Sequence, residues 1–79
     1  MIDLADPNTD VIKLYEEFYY SRTSNKVESL VEWIDKRETE SSIQLANQLI
    51  FIWERLGLIH TMYHRGSPNR WFKWEYKPD

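Results

Sequence analysis

The clearest pattern lies in residues 41–56. On a helical projection at about 100° per residue, Ile43, Leu45, Ala46, Leu49, Ile50, Ile52, Trp53 and Leu56 gather on one half of the cylinder. Gln44, Asn47, Gln48, Phe51, Glu54 and Arg55 fill most of the other half. That division predicts an amphipathic helix with a broad buried face. Gly57 follows as a stop, because glycine enters the left-handed conformation at little cost. Past it the pattern alternates residue by residue through two runs, separated by the turn-forming Gly66-Ser67-Pro68-Asn69. A hairpin centred on that turn puts Arg65 opposite Arg70, Tyr63 opposite Phe72, Thr61 opposite Trp74 and Ile59 opposite Tyr76. These residues share a mostly apolar face. His60, Met62, His64, Trp71, Lys73 and Glu75 share the other, as a half-buried antiparallel pair requires. Both arginines fall at the tip.

Two more helices are predicted upstream. The first begins near Asp10, with Thr9 or Asn8 as N-cap and Pro7 just before. Val11, Leu14, Tyr15 and Phe18 form its buried stripe, widened by Ile12 and Tyr19, while Tyr20 points away. Residues 21–26 read as a polar connection. Val27, Leu30, Val31 and Ile34 then recur at i, i+3, i+4 and i+7, which predicts a second helix over Lys26–Arg37 capped by Ser24 or Asn25. Trp33 flanks its stripe. Glu38-Thr39-Glu40 interrupts the period, and Ser41 or Ser42 caps the third helix.

Composition narrows the class. Seventy-nine residues allow one domain, near the lower limit for folding alone. An apolar share of 42%, with four tryptophans and five tyrosines, argues against disorder. The lack of cysteine excludes disulfides and thiolate metal sites. Asp3 and Asp6 interrupt the N-terminus, so no secretory signal pattern forms. The longest apolar run, Leu49 to Trp53, is far too short for a bilayer. The expected place is the cytoplasm, or the cytoplasm of an infected cell, with no membrane partner. The net charge of −3 is uneven. Residues 1–40 carry ten acids and five bases, −5, and residues 41–79 carry three acids and five bases, +2. That asymmetry implies a basic C-terminal surface on an acidic body.

The order helix, helix, turn, helix, glycine, strand, turn, strand resembles the winged helix-turn-helix domain of MarR-type and ArsR-type repressors. The residues that carry the resemblance run from Val27 through the Leu56-Gly57-Leu58 exit to the hairpin ending at Tyr76. It implies an α+β fold, with residues 1–9 as an N-terminal extension and 10–79 as the domain. It also implies binding of double-stranded DNA by a small transcriptional regulator, with helix 41–56 in the major groove and residues 58–76 as a wing on the backbone. Transferred by position, the contact residues are Ser41, Ser42, Gln44, Asn47, Gln48, Phe51 and Arg55 on the helix, with Arg65, Arg70 and Lys73 on the wing. Asn and Gln can pair with adenine and an apolar group can pack on a thymine methyl. Serine hydroxyls and helix N-terminal amides suit phosphates. The family's geometry further implies a homodimer through the first helix and the N-terminal segment, including Tyr19 and Tyr20. The size suits a regulator of a virus or mobile element.

A second reading stands beside the first. Arg55 is the one base on the predicted recognition face, and Glu54 would repel phosphates. Winged helices also serve as protein-docking modules, here binding or inhibiting a host or complex subunit. Phe51, alone in the polar arc, is either a base or partner contact, or packing beneath the N-terminal segment or a dimer mate. Trp71 and Met62 either stack on a partner or lie under residues 1–9. Little points to catalysis. The chain has no cysteine nucleophile and no glycine-rich phosphate loop. His60 and His64 stand roughly 13 Å apart on a strand, too far for one metal ion, and His60 pairs across to Glu75. No cofactor and no metal is expected, and the chain reads as a binding protein rather than an enzyme.

Overall fold

The first helix, α1 (Val11–Ser21), begins one residue later than the pattern predicts, because Asp10 is the cap. Its Oδ1 accepts the Lys13 amide at 3.0 Å, which satisfies an orphan donor and sets a carboxylate at the positive end of the helix. Thr9 is drawn backwards instead: its hydroxyl donates to the Asp3 carbonyl. The computed structural model describes residues 3–37 and 42–78. It continues with α2 (Val27–Arg37), α3 (Ser42–Arg55), β1 (Ile59–Tyr63) and β2 (Arg70–Trp74). The architecture is α+β, three helices followed by a two-stranded antiparallel hairpin.

The core is aromatic. Phe18 of α1 lies near its centre, stacked on Trp53 of α3 at 6.1 Å and edge-on to Phe72 of β2 at 5.7 Å. Tyr15 meets Trp53 edge-on at 5.3 Å. Leu30 and Ile34 of α2, Ala46, Leu49 and Ile50 of α3, and Ile59 of β1 close the space around them. Each large side chain so enclosed contributes about 1.5–3 kcal/mol of burial. Trp53 is fully buried and Trp74 partly so. The Trp53 indole N–H donates to the Val11 carbonyl at 2.9 Å, so its one polar group is satisfied.

Several expectations are corrected. The second helix starts at Val27 and not at Lys26, because Asn25 and Lys26 are used by the hairpin. The Phe72 amide donates to the Asn25 carbonyl at 2.7 Å, and Lys26 forms an antiparallel bridge with Trp71. The end of the polar connection thus touches β2 at one isolated bridge beside the two-stranded sheet. The third helix spans Ser42–Arg55; Ser41 and the Glu38-Thr39-Glu40 break lie outside the described residues. Ile43 and Leu56, placed on the buried half, are 66% and 51% exposed. Ile43 sits in the first turn of α3 and Leu56 just past its last residue, beyond the reach of the elements that cover the middle of the helix. Ile12 is likewise exposed on α1.

The hairpin register differs by two residues. Ile59 pairs with Trp74, Thr61 with Phe72 and Tyr63 with Arg70. A shift of two keeps every side chain on its expected face but changes every partner. The cause is the turn. Gly66 has φ +82°, and the Ser67 amide donates to the His64 carbonyl at 3.0 Å. His64–Ser67 is therefore the tight turn, with glycine in the third place where a positive φ is needed. Ser67 then folds back, its hydroxyl accepting the Asn69 amide at 3.2 Å. Beyond the core the inner face runs into solvent: Tyr63 is 70% exposed. At the other end the Leu58 carbonyl accepts both the Glu75 and Tyr76 amides at 3.0 Å, two residues against one as in a β-bulge.

Candidate functional site

Helix α3 shows its buried side, Ala46, Leu49, Ile50 and Trp53, to the core. Its opposite side carries Gln44, Asn47, Gln48, Phe51 and Arg55, all exposed. Ser42 opens the helix and is half-buried. Two borders limit this arc. On one side Glu54 accepts the Thr61 hydroxyl at 3.2 Å, which fastens β1 of the hairpin to the helix. On the other, Asp3, Leu4 and Ala5 stand across a groove of about 710 Å³ from Leu45, Ile52 and Phe51. Asn47 and Gln48 line the same groove. Phe51 is 62% exposed, and the Arg55 guanidinium lies 5.5 Å from its ring centre. Glu54 is thus drawn to the hairpin border, away from the middle of the arc.

The hairpin cations do not share one surface. Arg65 is exposed in the turn. Arg70, expected opposite Arg65, faces Tyr63 and is half-buried on the side of Phe72. Lys73 projects from the other side of β2, with its Nζ 3.7 Å from the Glu75 carboxylate. His60 stands opposite Lys73 rather than Glu75, yet its Nε2 still reaches the Glu75 carboxylate diagonally at 3.8 Å. Among the described residues, no group of three His, Asp or Glu side chains is placed to hold a metal ion. Nor is any helix among them long and apolar enough to cross a membrane.

Aromatic rings hold many of the other cations. Arg22 lies over Tyr19 at 4.0 Å, Lys26 over Trp71 at 5.3 Å and Arg37 over Trp33 at 4.5 Å. Arg37 also pairs with Glu17 at 3.3 Å. Such contacts settle a cation on the body of the molecule. Trp71 is covered by Lys26 and by His64, edge-on at 4.9 Å, while residues 3–5 lie along α3.

Asn25, read as a candidate cap of the second helix, has a further role that the sequence did not show. Its side-chain oxygen accepts from Arg22 Nε at 3.1 Å and from the Trp74 indole at 3.0 Å, so it ties the connection after α1 to β2. Leu4, which packs against the core, was also missed; a lone leucine between Asp3 and Asp6 was the only trace. Compared with known protein families, with curated proteins and with solved structures, the chain has no detectable match.

Proposed function

We propose that the chain is a winged helix-turn-helix protein that binds double-stranded DNA. In this reading α3 enters the major groove, the hairpin is the wing, and the protein regulates transcription by binding rather than by catalysis. The observation that carries it is the arc of α3 between hairpin and N-terminal segment. Three amides, Gln44, Asn47 and Gln48, stand there in water beside Arg55, on the side of the helix away from the core. Amides and a guanidinium are groups that read base edges. The hairpin next to the arc carries Arg65 in its exposed turn and Arg70 and Lys73 on opposite faces of β2, as cations for phosphates on either side of the strand. The test is a fluorescence-anisotropy titration of a random duplex from low to physiological salt, repeated with a duplex selected for tight binding. Arg65→Ala and Arg70→Ala each weaken all duplexes alike and flatten the salt dependence by about one unit of slope. Gln44→Ala, Asn47→Ala and Gln48→Ala remove about 1–3 kcal/mol of preference for the selected site per good contact and leave the slope unchanged. Absence of any duplex binding at low salt overturns the proposal.

A docking module is the second reading. Its support is the exposure of Ile43 and Phe51 on α3 and of Leu56 just past its end, which is more apolar surface than a phosphate-facing helix needs. It predicts flat anisotropy with duplex at every salt concentration.

A further inference from the structure

We propose that the groove between residues 3–5 and α3 is a docking site for a cationic amphipathic helix of another protein. This goes beyond the duplex reading and does not depend on it.

The floor is made by Leu45 and Ile52, both half-buried. They are seven residues apart, so they lie on one line of α3 about 10 Å long. Phe51 forms one wall, Leu4 and Ala5 the other. The volume of about 710 Å³ is in the range of ligand-holding clefts, but the groove is open along its length. Such a shape takes the side of a helix, whose apolar residues at i, i+4 and i+7 match a floor of that length.

The N-terminal wall is built in place. Asp3 Oδ1 accepts the Ala5 amide at 3.0 Å, and the Asp3 carbonyl accepts the Asp6 amide at 3.2 Å and the Thr9 hydroxyl. Asp6 Oδ1 accepts the Asn8 amide at 2.9 Å. A preformed wall spares the ordering cost that weakens flexible grooves.

Charge selects the occupant. Residues 3–10 contain Asp3, Asp6 and Asp10 and no base, and Asp3 itself lines the groove. Lysine or arginine beside the occupant's apolar stripe meets this wall favourably, and glutamate does not. A second copy is disfavoured, since a two-fold pairing would set two such acidic walls together. A nucleic acid meets the same repulsion at this border. Because Asn47, Gln48 and Phe51 belong to both groove and arc, a docked helix also covers part of the surface assigned to DNA.

The experiment uses two labelled helical peptides with the same leucine stripe, one with lysines and one with glutamates on its polar side. Each is titrated with the protein at physiological ionic strength and without nucleic acid, so the outcome is separate from the duplex test. The lysine peptide binds, and the glutamate peptide binds at least about tenfold more weakly. Phe51→Ala, a change at an exposed ring, lowers lysine-peptide affinity by about tenfold. Asp3→Asn with Asp6→Asn keeps the Oδ1 acceptors of the wall, removes its charge and abolishes the preference, whereas Glu28→Gln with Glu32→Gln on α2 leaves it in place. The inference is overturned by a lysine peptide that fails to bind, by equal binding of the two peptides, by an inert Phe51→Ala, or by α2 variants that act like the Asp3 and Asp6 pair.

Discussion

Tyr15 joins distant parts of the chain through one hydroxyl. The ring is fully buried. The hydroxyl donates to the Tyr76 carbonyl and, at 3.3 Å, to the Leu58 carbonyl. Burial pushes its pKa up to about 12; Tyr19 and Tyr76 add to the rise and Arg22 opposes it. The unfolded chain ionises this phenol near 10, so above that pH the unfolded state has lost a proton that the folded state keeps. The stability tied to the neutral phenol is fully present below pH 10 and is lost as pH rises through about 12. Thermal melts between these values should fall more steeply for wild type than for Tyr15→Phe, and absorbance near 295 nm should show one late-titrating tyrosine. At Trp53, truncation to alanine should cost about 3–5 kcal/mol in urea unfolding, a large part of a small domain's stability. Trp53→Phe should cost less, through the lost indole bond and the smaller ring, since the Val11 carbonyl at the start of α1 keeps its helical partner. Period alone was enough to bury both rings. Their polar partners were not legible, because the Tyr76 carbonyl is 61 residues from Tyr15 and every residue carries a carbonyl. Nor does period say where a covering neighbour ends, which is why Ile43 and Leu56 came out exposed.

The helix exit at Gly57 is the element boundary that the sequence declared most plainly. The Gly57 amide donates to the Glu54 carbonyl at 3.1 Å and the Leu58 amide to the Trp53 carbonyl at 2.9 Å, the paired bonds of a Schellman motif. Gly57 has φ +78°, and a Cβ built there meets nothing within 4 Å. Gly57→Ala is therefore a purely conformational change, with an expected loss of about 1–2 kcal/mol. Gly57→Asn should lose less, since asparagine tolerates that region. Chemical denaturation of both variants checks the order. The hairpin shows a different degree of legibility. Its faces follow from alternation, but its register does not, because a slip of two preserves alternation and only the turn decides. The end of the connection after α1 was opaque for a related reason. Asn25 and Lys26 meet β2 through backbone groups, which leave no mark on side-chain pattern.

On the scale of the whole molecule the arc of α3 was legible and the groove beside it was not. The arc is a property of one helix. The groove exists only once residues 3–5 fold back on α3, and that return is set by local hydrogen bonds of Asp3, Asp6 and Thr9. If two copies share a duplex, as the winged-helix reading implies, sedimentation with a palindromic selected site should give two protomers per duplex. A constant one-to-one complex up to high protein concentration would count against dimeric reading. The Leu58 carbonyl also bears on how the chain reaches this state. It receives hydrogens from Glu75, Tyr76 and Tyr15, so one acceptor closes the base of the hairpin and anchors it to α1. A hairpin forms within microseconds on its own, but this one is fastened at its base by a contact spanning 43 residues. The rate of folding should then follow loop closure between the chain's two halves rather than hairpin formation. Hydrogen exchange would report the strength of that anchor: the Glu75 and Tyr76 amides, bonded to Leu58, should exchange as slowly as those in the middle of α3.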